Sequence, residues 1–495
     1  MSLARDESAA PAARSARLAR WPAAGAMLLG LAAATYTQAD PDLWGHLRFG
    51  LDALASGTLT ADDPYSFTQD VPWINHEWLS EVQMALAYRA AGPAGLALLK
   101  GVLVFATVVL LWGAMRGAAF EARIVTLGFV AFGTVHMTST VRPQVWTFLA
   151  FAVLCRILAG RRPGVRWWLP VLFGVWANLH GGWIVGAGVM TVWAAAEGAT
   201  DRAAVRTWRW LWPLSLAATL ATPYGWRLWV FMLETVRPDR AIAEWQPTLV
   251  IGGGFWVPWV MAVAGCVYAI RFLPRFRLPV VGVLVLLGWS SFEVMRLGSL
   301  FVEAAVILLG PGIAARFPSR PARAPGPASQ YEPLAAAYLL ALTLAAAVWV
   351  ASHSLSCIAV RGPWIPDREP VQVLAGRGPG RLVTFFDWGQ YALWHLGPGI
   401  RVSMDGRRET VYSNARLAEH AAILSGEPEG LEALDGWQAE YVWLPASSQA
   451  TRAWLTAHGY RLAFESERSF VAVRGDQPAL PELPRERLRP RCFPD

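Results

Sequence analysis

Between residues 40 and 77, carboxylates, imidazoles and indoles crowd into an otherwise apolar chain. Asp40 and Asp42 flank a proline in the run Asp40-Pro41-Asp42-Leu43-Trp44-Gly45-His46, and Trp73-Ile74-Asn75-His76-Glu77-Trp78 follows. A carboxylate held beside an apolar phase can serve as a general base towards an acceptor hydroxyl. It can also hold a divalent cation that neutralises a phosphate leaving group. Asp42, Asp40 and Glu77 are therefore the candidate catalytic acids, and His46 and His76 their candidate substrate-binding companions. Asp42 with His46 also offers the oxygen and imidazole donors of a divalent metal such as Mg or Mn, although the spacing selects no particular ion.

Two local elements must position these groups. Asp40 is suited to cap a helix whose first residue is Pro41, where a missing N–H costs nothing. A helix over 41–56 puts Leu43, Trp44, Leu47, Leu51 and Leu54 on one apolar stripe, and Gly57 ends it. Asp42 and His46, four apart, then share a face. From Asn75 to Ala91 a second helix is expected, with Asn75 as its cap, Trp78, Val82 and Leu86 as its apolar stripe, and Glu77 and Glu81 on a polar face. Asp62-Asp63-Pro64-Tyr65 between them has turn chemistry. The first loop thus reads as two amphipathic helices at a bilayer surface.

The chain around them is 55% hydrophobic and 16% charged, with 27 tryptophans, and several apolar runs approach the ~20 residues that cross a bilayer. A polytopic α-helical membrane protein follows. The net charge of +7 is almost all arginine, Lys100 being the sole lysine, and it falls between apolar runs, so it is no nucleic-acid footprint. Spans are expected near 21–38, 96–115, 123–140, 143–159, 167–180, 182–198, 209–222, 254–271, 278–294, 297–314 and 331–352. With about eleven spans and residues 1–20 as a cytoplasmic tail, every basic cluster falls on the cytoplasmic side. The first loop, 39–95, and everything beyond 352 then emerge on the opposite side.

That side also collects Arg142-Pro143-Gln144, His180-Gly181-Gly182 and Arg296. Arg142 and Arg296 are candidate cations for a lipid phosphate, and the glycines after His180 would let a headgroup approach the backbone. Residues 353–476 change character. Short apolar runs at 381–386, 400–404 and 440–444 alternate with helical patterns at 413–425 and 447–458, which predicts a small α/β domain. Within it, Met404-Asp405-Gly406-Arg407-Arg408 is first a turn signal, and Asp405 and Arg407 are candidate ligands for a sugar or an anion. The Pro- and Arg-rich segment 477–495 reads as a poorly ordered tail. Of the four cysteines, Cys357 and Cys492 could pair if their side is oxidising.

These motifs together resemble a known group. D-x-D-x-W-x-H at 40–46, D-P-Y-S-F-T at 63–68 and W-x-N-H-E-W-L-x-E at 73–81 resemble the first periplasmic loop of GT-C superfamily membrane glycosyltransferases. R-P-Q at 142, N-L-H-G-G at 178, T-P-Y-G-W at 222, F-F-D-W-G-Q-Y at 385 and M-D-G-R-R at 404 look like the same group. The resemblance implies a GT-C-like multi-span fold with a periplasmic C-terminal domain in a bacterial inner membrane. It implies a polyprenyl-phosphate-linked sugar donor, an inverting transfer to a lipid, glycan or protein acceptor, and Asp42 as base or metal ligand with Asp40 in support. The chain departs from the pattern at Gly45, where the family carries a second tryptophan.

Two other classes fit parts of the pattern. A non-catalytic polyprenyl-lipid transporter or scaffold would place charges deep inside spans and pair them across repeats. Here the polar residues gather at span ends and no internal repeat is evident. A ligase or phosphatase acting on lipid phosphates would share the arginines but need no D-x-D loop.

Overall fold

The computed structural model describes residues 20–59, 63–160, 162–235, 243–250, 256–273, 278–319, 332–475 and 491–495. Residues 1–19, Asp62 and most of the Pro/Arg-rich segment, on which expectations were placed, lie outside these. The chain divides into two compact units, residues 1–37 with 91–358 and residues 38–90 with 359–495. The first loop therefore belongs to the same unit as the C-terminal residues.

The first unit is helical. Its elements are α1 (Arg20–Ala34), the second part of α3 (Trp78–Ala114), α4 (Phe120–Thr138), α5 (Gln144–Ala159), α6 (Leu169–Trp176), α7 (Trp183–Thr200), α8 (Arg202–Ala218), α9 (Trp226–Thr235), α10 (Trp256–Ala269), α11 (Leu278–Glu293), α12 (Gly298–Arg316) and α13 (Glu332–Ser356). Each expected span falls on one of these helices, and α9 was not anticipated. Among the described residues, three segments, Trp78–Ala114, Met295–Arg316 and Pro333–Ser356, are long and apolar enough to cross a membrane, and four shorter apolar helices accompany them. The protein is a multi-pass membrane protein. α13 packs along α1, α7 against α8 and α11, and α12 against α4 and α5. Buried aromatic residues, among them Phe151, Phe173, Trp176, Trp183, Trp193 and Phe301, fill the interior.

The long helix α3 begins in the second unit and breaks its helical dihedrals at Ala91 and Gly92, where Gly92 takes φ 58. Glycine enters that left-handed region without the Cβ penalty other residues meet. The expected loop helix and the expected span that follows it are thus two limbs of one kinked element.

The second unit is built on a five-stranded mixed sheet. Strands β2 (Gly380–Thr384), β3 (Ile400–Val402), β4 (Tyr441–Pro445), β5 (Tyr460–Glu465) and β6 (Ser469–Arg474) lie in the order β3-β2-β4-β6-β5. β2 pairs in parallel with β3 and β4, and β6 runs antiparallel to β4 and β5. β1 (Ala359–Val360) pairs with β7 (Arg491–Cys492), so the last residues of the expected tail are ordered in a ladder. Helices α14 (Glu369–Ala375), α15 (Gly389–Leu396), α16 (Asn414–Ser425), α17 (Pro428–Trp437) and α18 (Gln449–Ala457) complete it. Val383, Ile423, Leu434, Val442, Leu444, Leu455 and Phe470 form one buried core. Strand and helix patterns expected from the sequence are present, and the β5–β6 hairpin is an addition. Cys357 and Cys492 are disulfide-bonded, while Cys155 and Cys266 are free thiols.

The first loop is woven into this sheet's edge. Val402 N–H donates to Tyr65 O at 2.9 Å and Phe67 N–H to Val402 O at 3.1 Å. Asp70 accepts from the Ser413 N–H at 2.7 Å and from its hydroxyl at 2.6 Å. Helix α2 (Leu43–Ser56) packs against α15, with Leu43, Trp44 and Leu47 fully enclosed. The Trp44 ring sits 5.4 Å from Tyr391 and 5.1 Å from Phe493, and its Nε1–H donates to Pro494 O at 2.8 Å.

Candidate functional site

The acids of the first loop divide their roles. Helix α2 starts at Leu43, two residues later than expected, with Asp42 in the N-cap position but without a side-chain capping bond. Asp40 instead accepts the Asp42 N–H at 2.9 Å and is itself buried. Capping chemistry thus falls to Asp40, while the Asp42 carboxylate lies against Gly406. A Cβ built at Gly406 would overlap Asp42 Oδ1 and stand 2.7 Å from Gln390 Nε2. Only glycine leaves room for the acid there.

His46 meets two carboxylates. Its Nδ1 is 2.9 Å from Glu81 Oε1 and 3.9 Å from Glu77 Oε2, and Asn75 Nδ2 donates to Glu81 Oε2 at 2.6 Å. Burial pulls the imidazole's pKa down, but the Glu81 hydrogen bond and the charges of Glu77, Glu81 and Asp42 more than reverse it, to about 9. The expected apolar stripe of the second helix is not its buried face: Leu86 is exposed, whereas Ser80, Glu81, Met84 and Ala85 are buried. Glu81 tolerates burial because His46 and Asn75 bind both of its oxygens. A Cβ at Gly50 would overlap the Glu81 carbonyl, so glycine permits this close approach of α2 to α3. His76 stands beside Glu77, Nε2 to Oε1 3.6 Å. Asn75 accepts the Glu77 N–H at 3.2 Å, which is the capping role the sequence gave it, although the helix itself begins at Trp78.

Asp405 and Arg407 take a different role from that expected of them. Arg407 is bidentate to Asp63, with both contacts at 2.8 Å, and it donates to Asp405 from Nε at 2.9 Å and from Nη2 at 2.6 Å. The rings of Phe49, Tyr65 and Trp73 surround the guanidinium at 5.0, 5.2 and 4.7 Å. Asp405 has no exposed surface. Every nitrogen of this arginine is already engaged, so the cluster clasps the first loop to the turn after β3.

Its neighbour Arg408 is the cation nearer the acids. It adopts φ 45, an unusual conformation for a residue with a Cβ. Its carbonyl accepts the Tyr412 N–H at 2.9 Å and its guanidinium lies 5.1 Å from the Phe386 ring. Burial lowers its pKa against the opposing charges of Asp42 and Asp387. Sequence alone offers Arg407 and Arg408 alike for a sugar or an anion, because two adjacent arginines carry no signal about which side chain turns inward.

In the helical unit, Arg296 donates from Nη2 to Gln144 Oε1 at 2.9 Å, and that nitrogen is 3.5 Å from His180 Nε2. The His180 ring is fixed from its other side. Gly182 N–H donates to Nδ1 at 3.0 Å, and Thr147 Oγ1, which accepts Trp176 Nε1–H, is 2.8 Å from the same atom. Arg296, Gln144, His180 and Thr147 thus form one connected polar cluster. Arg142 is 3.6 Å from Glu244. Of the groups expected from sequence, Arg296 and His180 are brought together with Gln144 and Thr147, which were not singled out.

His46 Nδ1, Glu77 and Glu81 offer three donor atoms within 4.8 Å of one another. Two carboxylate oxygens and an imidazole nitrogen suit a divalent cation. Asp42, expected as a ligand, is not in this group.

No family model matches the chain, and no curated protein does either. Among solved structures, ArnT from Cupriavidus metallidurans bound to undecaprenyl phosphate superposes with a TM-score of 0.54 at 13% identity, covering 94% of this chain and 100% of that one. Its apo state gives the same values. A mutant of the arabinofuranosyltransferase AftD from Mycobacteria gives a TM-score of 0.51 at 17% identity over 92% of this chain and 42% of AftD. At such identity the likeness is one of fold. Over nearly its whole length, the chain has the fold of ArnT, as its GT-C-like motifs implied.

Proposed function

We propose that the protein is a GT-C-type glycosyltransferase that moves a sugar from a polyprenyl-phosphate donor to a hydroxyl acceptor. The observation that carries this is the fold shared across 94% of the chain with a protein captured on undecaprenyl phosphate. Asp42 is the base: Asp40 does the capping, and Asp42 is held close by Gly406 and Gln390. Deprotonating the acceptor hydroxyl as it attacks the anomeric carbon, with the lipid phosphate leaving, gives an inverting transfer. The guanidinium groups of Arg296 and Arg142 are suited to the phosphate charge. His46, Glu77 and Glu81 would hold a divalent cation, which supplies charge neutralisation when bound. The disulfide-bonded Cys357 and Cys492 favour the expected periplasmic, oxidising side of a bacterial inner membrane for the C-terminal residues.

The test is turnover by purified protein with undecaprenyl-phosphate sugars, wild type beside Asp42→Ala. Release of undecaprenyl phosphate by wild type alone supports the reading. Equal release by the variant, or none by wild type with any sugar, refutes it.

A further inference from the structure

A groove in the helical unit takes no part in the proposed function. Between α7 and α8 opens a cavity of about 510 Å³, walled by Ala194, Ala195, Val205, Trp212 and Pro213 and also lined by Trp208 and Arg209. Its size and apolar lining are those of a small-molecule site. The polar atoms of its walls are already paired. Trp212 Nε1–H donates to Thr191 Oγ1 at 2.9 Å, and that hydroxyl donates to Ala187 O at 2.8 Å. Trp208 Nε1–H donates to Glu197 Oε2 at 2.8 Å, and Arg166 binds both oxygens of Glu197, at 2.7 and 2.9 Å. An occupant of the trough therefore meets methyl groups and indole rings and finds no hydrogen bond there.

Arg209 is the exception. It is exposed, its guanidinium stands 5.5 Å from the centroid of the Trp210 ring, and among the described residues no carboxylate pairs with it. Arg202 and Arg206 precede it at helical spacing on one face of α8 and are exposed as well. Trp210 beside them is 60% exposed, as indoles at headgroup level are. An apolar trough thus meets a surplus of positive charge at a membrane boundary. This is not the site already described. Ala195 lies roughly 20 Å along α7 from Gly182, whose N–H holds the His180 ring. No single phosphate reaches both.

We propose that the α7–α8 groove binds one anionic phospholipid, with an acyl chain in the trough and the phosphate diester on Arg209, in the leaflet opposite the Arg296–His180 cluster. A guanidinium binds phosphate oxygens through paired N–H donors. A headgroup of net negative charge gains from Arg202 and Arg206 too, whereas the ammonium of a zwitterionic lipid is repelled by them. The bound lipid bridges α7 and α8. Nothing in this arrangement depends on what the protein transfers.

The experiment is native mass spectrometry of the full-length protein in detergent, delipidated and then titrated with phosphatidylglycerol or phosphatidylcholine of the same acyl chains. Wild type should retain one phosphatidylglycerol with about tenfold or greater preference over phosphatidylcholine. Arg209→Gln should lose about fivefold of that preference, the worth of one arginine at an anionic surface, and Arg209→Lys should keep most of it. Ala195→Phe fills the trough without changing charge and should weaken retention of phosphatidylglycerol. Arg271→Gln removes an arginine just beyond α10, outside the groove, and should change nothing. Ala195, Arg209 and Arg271 are all exposed, so each variant should unfold at the wild-type temperature.

Equal retention of the two lipids by wild type overturns the proposal. So does a preference that survives intact in Arg209→Gln, or one that falls as far in Arg271→Gln, since the charge then acts on lipid at large. Full retention by Ala195→Phe removes the acyl chain from the trough and overturns it too. Undecaprenyl phosphate is the remaining arm. If it displaces phosphatidylglycerol from wild type at equal concentration, the groove belongs to a polyprenyl lipid and the phospholipid assignment fails.

Discussion

Replacing Arg407 by alanine tests whether this arginine holds substrate or holds the fold. The substitution strands two buried carboxylates: Asp63 and Asp405 have no exposed side-chain surface, and Arg407 engages both. Removing one partner of a buried ion pair costs about 3–5 kcal/mol, because the charge left behind is neither solvated nor paired. Losing the contacts with Phe49, Tyr65 and Trp73 adds to this. Each kcal/mol shifts Tm by about 2–4 °C in a unit of this size, so the variant should melt roughly 6–20 °C lower. The assay is thermal unfolding of the detergent-solubilised protein, with hydrogen exchange read on peptides covering 63–73 and 400–412. Those peptides should lose protection first, because the clasp joins them. Asp63→Asn combined with Arg407→Met removes charge from both sides and should cost less than the sum of the two single changes. The reasoning fails if Arg407→Ala melts within about 2 °C of wild type with protection unchanged. A stable variant that has lost donor binding would return Arg407 to the substrate-binding role its sequence context suggested.

Three further outcomes follow from the same geometry. Asp42→Asn should abolish transfer while leaving the unfolding temperature near wild type, whereas Asp40→Ala should keep measurable transfer with a modest loss of stability, of order 1 kcal/mol, as expected for a lost cap. Mn2+ titration of chelator-treated protein, read by electron paramagnetic resonance, should reveal one site that Glu81→Gln weakens and Asp40→Asn does not. An unchanged signal in Glu81→Gln would reject the His46–Glu77–Glu81 ligand set. His420 is buried beside Ser403, Nε2 to Oγ 2.8 Å, and burial pushes its pKa down to about 4. The unfolded chain then binds a proton near pH 6.5 that the folded state refuses until about pH 4, so the stability of the sheet unit should fall as pH drops through that window. The slope is about 1.4 kcal/mol per pH unit and the full loss about 3 kcal/mol. Hydrogen exchange of α16 peptides at pH 7.5 and 5 measures it, and His420→Gln should flatten the difference.

The helices of the membrane unit were legible because apolar length and arginine placement are local signals. α4, α5, α11 and α12 start and stop within a few residues of their expected bounds. The sheet's central strands were legible for a similar reason: 381–384 and 441–444 are short apolar runs between turns. The β5–β6 hairpin was not, since Arg461, Glu465, Arg468 and Arg474 interrupt its apolar pattern with charges. Nor could the sequence show that 63–70 joins the edge at Val402. That pairing links residues more than three hundred positions apart through main-chain bonds, which carry almost no side-chain signature.

The site shows where residue type stops being informative. Asp40 and Asp42 look alike in sequence, and only the bond from Asp42 N–H to Asp40 separates the cap from the candidate base. Arg407 and Arg408 look alike too, and the left-handed backbone at 408 sends two adjacent guanidinium groups to different neighbours. Glu81 was visible four residues after Glu77, yet pattern logic assigned it to a solvated face, because an acid enters an interior only when its partners are already there. His46 and Asn75 are those partners, and neither periodicity nor spacing announces them. The glycines carry the reverse information. At 45, 50 and 406 they read as helix weakness or turn, whereas each marks a place where another segment's polar group comes within the reach of a missing side chain. In a chain whose acids and arginines are ambiguous one by one, those positions locate the candidate chemistry most narrowly, and they converge on Asp42, Gln390 and the His46–Glu81 pair.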